Sequence, residues 1–173
     1  MKKTISTIGW SSLREIHERD FEQVMAIAKA CSNEVGMDAI GGNRIARWTI
    51  GPRLWEWQIA LKLLNPTNNK PIVMTVGGTV VGYLLYSVHG GTTVVRQIAV
   101  APEFTREGYG TEMIERLKQS LPNLKSRFIG VQIAEKNLGA QVFFRHCGFK
   151  WFRSAGVPAS GDQSYFMRYI ESA

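Results

Sequence analysis

The amino-acid sequence predicts one α/β (α+β) domain, with elements in the order β-α-α-β-β-β-α-β-α-β-β around a single sheet. Three observations lead there. Short β-branched runs alternate with segments whose apolar residues keep helical spacing. Two glycine pairs, Gly77-Gly78 and Gly90-Gly91, separate neighbouring apolar runs and signal hairpins. A strand, Val94–Val100, leads through Arg106-Glu107-Gly108-Tyr109-Gly110-Thr111 into a helix.

A chain of 173 residues is long enough for a real core in one domain, 1–173, with residues 1–12 as a loose lead-in. Hydrophobic residues make up 45% and charged residues 20%, values that exclude a disordered chain. The net charge of +7 suits an anionic ligand. The basic residues are scattered, however, and no aromatic-basic strip of the kind RNA binding needs is present, so nucleic acid is not an expected partner. Cys31 and Cys147 are too few for a disulfide framework and point to a reducing compartment, by default the cytoplasm. No run approaches the roughly 20 apolar residues of a membrane span, and Lys2-Lys3 precedes no signal-peptide stretch. His17, His89 and His146 show no metal-ligand spacing, so no metal is expected.

Taken in order, Leu13 to His17 alternates like a short strand. Asp20 with Gln23 makes a capping-box pattern ahead of Phe21, Val24, Met25 and Ala28, which share one helical face. Gly36, Gly41 and Gly42 break up the stretch Asn33 to Ile50. Pro52 then starts a second helix, apolar on two sides through Trp55, Ile59, Leu63 and Trp57, Leu61, Leu64. Three strands follow: Pro71–Val76, Thr79–Val88 and Thr92–Val100. The second is apolar on both faces and belongs inside the sheet. Pro102 ends the third, because proline cannot donate to a ladder. Tyr109, Met113, Ile114, Leu117 and Leu121 mark the next helix. Arg127–Ala134 is strand-like, Asn137–His146 helical, and Phe149–Ser154 and Ser164–Ile170 form a closing pair of strands.

Glycines at a strand-to-helix turn let a ligand approach the backbone, and the first helical N–H groups are unpaired at the positive end of the helix dipole. The turn at Gly108 and Gly110 is therefore a phosphate seat. No Gly-Lys-Ser/Thr follows it, and Met113 stands where a dinucleotide fingerprint has its third glycine. The stretch Ile98-Ala99-Val100-Ala101-Pro102-Glu103-Phe104-Thr105-Arg106-Glu107-Gly108-Tyr109-Gly110 resembles the coenzyme A pyrophosphate loop of the GNAT N-acetyltransferase superfamily. It departs at Thr105, where that family usually carries Gln or Arg.

A second motif, Asn137-Leu138-Gly139-Ala140-Gln141-Val142-Phe143-Phe144-Arg145-His146-Cys147-Gly148-Phe149, resembles the same family's N-x-x-A-x-x-[FL]-Y-x-x-x-G-F pattern. The resemblance implies a mixed, mostly antiparallel sheet flanked by about four helices, and acetyl-CoA as cofactor. It implies coenzyme contacts from Ile98, Ala99, Val100, Thr105, Arg106, Glu107, Gly108, Tyr109, Gly110, Thr111, Asn137, Ala140 and Phe144. Asn137 would cap its helix and bond the pantetheine arm, while Ala140 would let that arm pass close by. The resemblance also implies that the Ile98–Val100 strand splays from the Arg127–Ala134 strand, leaving backbone N–H groups to polarise the thioester carbonyl.

Closer similarity, over roughly the C-terminal half, is to RimI-type protein N-terminal (ribosomal-protein-alanine) acetyltransferases. Two proton-transfer positions depart from the pattern. Phe144 stands where many members carry a Tyr acid, and Gln132 where RimI-type enzymes often carry a Glu base. Glu135 and Tyr165 are the candidate catalytic residues that remain, with Asp162 weaker. Adjacent helical residues point about 100° apart, so His146-Cys147 does not make a nucleophile–base pair.

The expected reaction is direct acetyl transfer to a primary amine, the acceptor lying between Gly36–Trp57 and Gly156–Gln163, where Trp48, Trp55 and Trp57 could wall a pocket. A protein N-terminus leads the acceptors; a small-molecule amine such as a polyamine, aminoglycoside or amino acid shares the cofactor residues. A non-catalytic acyl-CoA-binding module is the third class. The expected assembly is a monomer or a homodimer.

Overall fold

The computed structural model describes residues 11–31, 69–155 and 163–170. The expected Pro52–Leu64 helix, the three tryptophans, Asp162 and most of the last loop lie outside the described residues. Among the described residues, seven strands form one sheet in the spatial order β1-β2-β3-β4-β5-β7-β6. They are β1 (Ser11–Glu15), β2 (Lys70–Val76), β3 (Thr79–His89), β4 (Thr92–Val100), β5 (Phe128–Ala134), β6 (Lys150–Ala155) and β7 (Ser164–Ile170). Three helices accompany them among the described residues: α1 (Phe21–Ala30), α2 (Tyr109–Gln119) and α3 (Leu138–His146).

Every strand pair is antiparallel except β4 with β5, so the sheet is mixed and mostly antiparallel as expected. The first strand begins two residues earlier than the alternation suggested, at Ser11, because its whole length pairs with β2 from Ser11↔Val76 to Glu15↔Ile72. The glycine pairs turn β2 into β3 and β3 into β4 as two-residue hairpin loops, all four glycines having positive φ.

The inner strand β3 buries Val80, Val81, Tyr83, Leu84, Leu85 and Tyr86, its apolar residues on both faces finding a core on each. On one face α2 brings Met113, Ile114 and Leu117 and α3 brings Phe144 against Leu84, Ile129, Val131 and Ile133. On the other, α1 packs Val24, Ile27 and Ala28 on Val73, Tyr83, Leu85 and Ala99. Met113 and Ile114 are fully buried; burying a side chain of that size stabilises by about 1.5–3 kcal/mol.

The predicted Asp20/Gln23 capping box does not form. Asp20 instead turns back, accepting from the His17 N–H at 2.8 Å and from Arg14 Nη1 and Nη2 at 2.5 and 2.8 Å. Gln23 crosses to the sheet, where its side-chain oxygen accepts from the Val80 N–H at 3.0 Å. A charged guanidinium and an N–H at the start of β3 compete successfully for the side chains that a local cap would use. Helix α3 ends in a Schellman motif: Gly148 N–H donates to the Arg145 carbonyl and Phe149 N–H to the Phe144 carbonyl, both at 2.9 Å.

Candidate active site

The site begins where two strands part. The parallel β4–β5 ladder runs from Thr92↔Phe128 to Val95↔Val131 and stops. Beyond it β4 stays with β3 as far as Val100, while β5 stays with β7 as far as Ala134↔Ser164. A bulge helps re-aim β4: Leu85 faces Gln97 and Tyr86 faces Val95, so Arg96 is the extra residue. The resulting slot opens into a cavity of about 810 Å³.

Backbone direction along the slot follows from alternation. Ala101 N–H donates to the Val81 carbonyl at 2.9 Å, so Ala99 and Gln97 also turn toward β3, and the N–H groups of Ile98 and Val100 face the slot. Cys31 Sγ confirms the direction by donating to the Val100 carbonyl at 3.4 Å from the slot side. Donors held this way by a strand need no reorganisation to polarise a carbonyl placed before them.

At the β4 end, Pro102–Phe104 forms a 3₁₀ turn and the chain passes through Arg106 at φ 63° and Gly108 at φ 93°. A side chain at Gly108 would be strained, which is why the turn needs glycine there. The first helical bond of α2 runs from Glu112 N–H to the Gly108 carbonyl at 2.9 Å. The N–H groups of Tyr109, Gly110 and Thr111 thus precede the ladder and have no carbonyl one turn back. They stand at the positive helix terminus, an anion seat. Thr105 does not reach outward; its hydroxyl donates to the Pro102 carbonyl at 2.9 Å and closes its own turn.

The structure brings Ile98, Ala99, Val100, Thr105, Gly110, Asn137, Ala140 and Phe144 together around this cavity. The remaining coenzyme candidates take other places. Arg106, Glu107 and Gly108 form the exposed rim of the turn. Tyr109 points into the core, edge-on to Phe104 with ring centroids 6.2 Å apart, and anchors the loop. Thr111 meets the buried Cys147 thiol, which burial pushes up in pKa. Asn137 caps α3, its side-chain oxygen accepting from the Ala140 N–H at 3.0 Å. Phe144 is buried between Phe143 and Phe149, with centroids 5.1 and 5.0 Å away.

A family model described as the acetyltransferase (GNAT) family matches residues 10–149. The chain belongs to the GNAT acetyltransferase family.

This GNAT enzyme is an acyltransferase that uses acetyl-CoA. It resembles a GNAT-family acetyltransferase from Desulfovibrio desulfuricans at 16% identity and TM-score 0.70, over 93% of this chain and 99% of that one. The PaiA N-acetyltransferase of Thermoplasma acidophilum, solved with coenzyme A, is 11% identical at TM-score 0.71, over 94% and 99%. The ribosomal-protein-S18-alanine N-acetyltransferase of Escherichia coli is 15% identical at TM-score 0.65, over 95% and 96%. At such identities these likenesses show the fold. No curated protein is significantly similar to the chain in sequence.

The GNAT site's residues fit the coenzyme on their own geometry. Three N–H groups ahead of the α2 ladder suit a diphosphate, and the cavity continues from them past Asn137 and Ala140 to the slot. Bound there, acetyl-CoA would supply an activated acetyl group and a thiol leaving group. Among the described residues the acetyltransferase shows no metal-binding cluster, and no helix is long and apolar enough to cross a membrane.

The proton-transfer candidates occupy different ground. Tyr165 donates its hydroxyl to Glu135 Oε1 at 2.9 Å, a bond that raises the phenol's pKa, and neither residue lines the cavity. Gln132 does line it, with its amide nitrogen donating to Ser164 Oγ at 2.8 Å. His146 is exposed while Cys147 is buried, so they share no environment. Sequence reasoning missed Ala30, Cys31, Arg96 and Gln97, which also line the cavity. A polar residue inside the apolar run Val94–Val100 was the one signal for Gln97.

Proposed function

We propose that the acceptor is the N-terminal α-amine of a protein or peptide. The observation that carries this reading is the charge of the cavity wall. Among the described residues it contains no carboxylate, and its charged side chains are Arg96 and Lys136. A polyamine or aminoglycoside carries several positive charges and needs acidic partners, whereas a peptide N-terminus presents one amine and a neutral backbone.

The departures at the two usual proton-transfer positions, Phe144 and Gln132, favour the same acceptor. An α-amine has a pKa near 8, against about 10.4 for a lysine-like amine, so a useful fraction is already neutral near pH 7. Water can take up the remaining proton without a side-chain base. Phe144 at the usual acid position contributes packing, and Gln132 at the usual base position contributes a hydrogen-bonding amide.

Thiol release from acetyl-CoA, followed with a panel of N-terminal peptides, polyamines and aminoglycosides, tests the reading. Peptides should turn over, with kcat/KM rising with pH to a plateau near the α-amine pKa. Faster acetylation of a polycation would replace the reading, and tight coenzyme binding without turnover of any acceptor would favour a non-catalytic module.

A further inference from the structure

Thr105, Gly110, Asn137 and Ala140 belong to the loop and helices of one sheet face, so a coenzyme held among them leaves the slot open to approach from the other. On that other face α1 covers β2, β3 and β4. Alternation settles what the strands beyond β4 present there. Ile129, Val131 and Ile133 of β5 and Met167 and Tyr169 of β7 turn to the α2/α3 core, so Gln132, Phe166 and Arg168 turn away from it. Arg153 of β6 pairs opposite Phe166, and Lys150 opposite Arg168. Arg96, which lines the cavity, donates from Nε to Ser87 Oγ at 3.0 Å on the same face.

Four cations therefore share a surface that begins at the slot. The strands β4, β5, β6 and β7 contain no aspartate or glutamate. None of the four cations pairs with a carboxylate among the described residues. Lys150 and Arg168 stand directly opposite one another, a like-charge pairing that weakens a ladder unless an anion joins it. Two of the guanidinium groups are held in place by aromatic rings. Arg168 Cζ lies 3.8 Å from the Phe152 ring centre and Arg153 Cζ 5.8 Å from that of Phe166.

We propose that the β7–β6 face beside the slot is a docking surface for an acidic segment just behind the acceptor's N-terminus, Arg153 and Arg168 pairing with its carboxylates. This deepens the N-terminal reading above and rests on it. Neighbouring strands lie about 4.8 Å apart, and an extended peptide advances about 3.3 Å per residue. An acceptor with its α-amine at the slot thus carries roughly its third to fifth residues across β7 and β6. Nucleic acid fits the face less well, because stacking needs open rings. One side of Phe152 is taken by Arg168, and Phe166 lies on Gly130, where no Cβ has room.

The test compares two peptides that differ only in carrying Glu or Gln at positions three to five, at pH 9, where the α-amine is neutral. Wild type should favour the Glu peptide about ten-fold in kcat/KM, mainly through KM, and added salt should shrink the ratio. The double variant Arg153→Gln/Arg168→Gln should bring the ratio near one, while Arg153→Lys/Arg168→Lys keeps most of it. Coenzyme affinity, read by calorimetry, should match wild type in both. Equal rates on the two peptides in wild type, or a ratio that survives loss of both charges, would overturn the proposal and leave the N-terminal reading standing. A labelled single-stranded RNA bound by wild type and released by the Gln variant, with the peptide ratio unmoved, would give the face to nucleic acid instead. Wild type that acetylates neither peptide would sink the N-terminal reading and this proposal together.

Discussion

Gly110 and Phe143 stand so close that a Cβ on the glycine would lie 3.3 Å from the ring, and 3.7 Å from Val100 Cγ2. The first turn of α2, the middle of α3 and the end of β4 therefore meet at this point with only a glycine between them. The space a larger residue would take is the cavity itself.

Gly110→Leu should consequently fill the passage between the anion seat and the slot. Coenzyme affinity should fall at least ten-fold, about 1.4 kcal/mol, with the domain still folded. Titration calorimetry with coenzyme A against the melting curve separates the two effects. Unchanged affinity would remove the loop from the coenzyme site.

Gly108→Ala acts differently, because a Cβ there meets nothing within 4 Å but the backbone sits at φ 93°. The cost is conformational, about 1 kcal/mol of stability. A lowered melting temperature with a smaller loss of affinity than Gly110→Leu is the expected pattern. A fully retained melting temperature would mean that the turn relaxes to another conformation.

Arg14 holds the buried Asp20 carboxyl at a pKa of about 2, chiefly through its hydrogen bonds and assisted by the His17 N–H. The folded value lies below the unfolded one near 3.9, so the ion pair stabilises above about pH 4 and that contribution is lost as pH falls toward 2. Its size is about 2 kcal/mol, the guanidinium remaining partly in water. Asp20→Asn should lose that amount at pH 7 and flatten the acid limb of a stability–pH curve measured by urea unfolding. A variant whose acid limb matches wild type would assign the acid sensitivity elsewhere.

Tyr83 is buried at 1% exposure, its hydroxyl has no hydrogen-bond partner among the described residues, and burial pushes the phenol's pKa up. Removing an unsatisfied buried hydroxyl relieves a desolvation cost of about 1–3 kcal/mol while keeping the ring. Tyr83→Phe should thus melt at or above the wild-type temperature. Destabilisation by more than about 1 kcal/mol would show that the hydroxyl has a partner in solution.

Tyr165 and Glu135 bond each other outside the cavity lining. Tyr165→Phe and Glu135→Gln should each change kcat/KM by less than about three-fold. A loss of about 100-fold, the size of a general acid–base contribution, would place proton transfer with this pair.

Much of the fold was legible because local signals and tertiary packing agreed. β4 occupies Thr92–Val100 and β7 Ser164–Ile170, with the bounds that alternation and turn residues marked. The α2 stripe of Tyr109, Met113, Ile114 and Leu117 is the stripe that the structure buries. Asn137 and Gly148 begin and end α3 as cap chemistry requires. Each of these depends on residues within a few positions of one another, so the linear order carries the information.

The site divides along the same line. The Gly108 turn and the start of α2 are local features, set by residues within a few positions of one another, and the sequence marked both. The slot is not local: it exists because β4 follows β3 while β5 follows β7, partners that lie far apart in the chain. The Arg96 bulge, the placement of Cys31 behind Val100, and the diversion of Asp20 to Arg14 and of Gln23 to Val80 were likewise decided only by the tertiary structure. A buried side chain takes whichever partner assembly brings within reach, and no spacing along the chain records that choice.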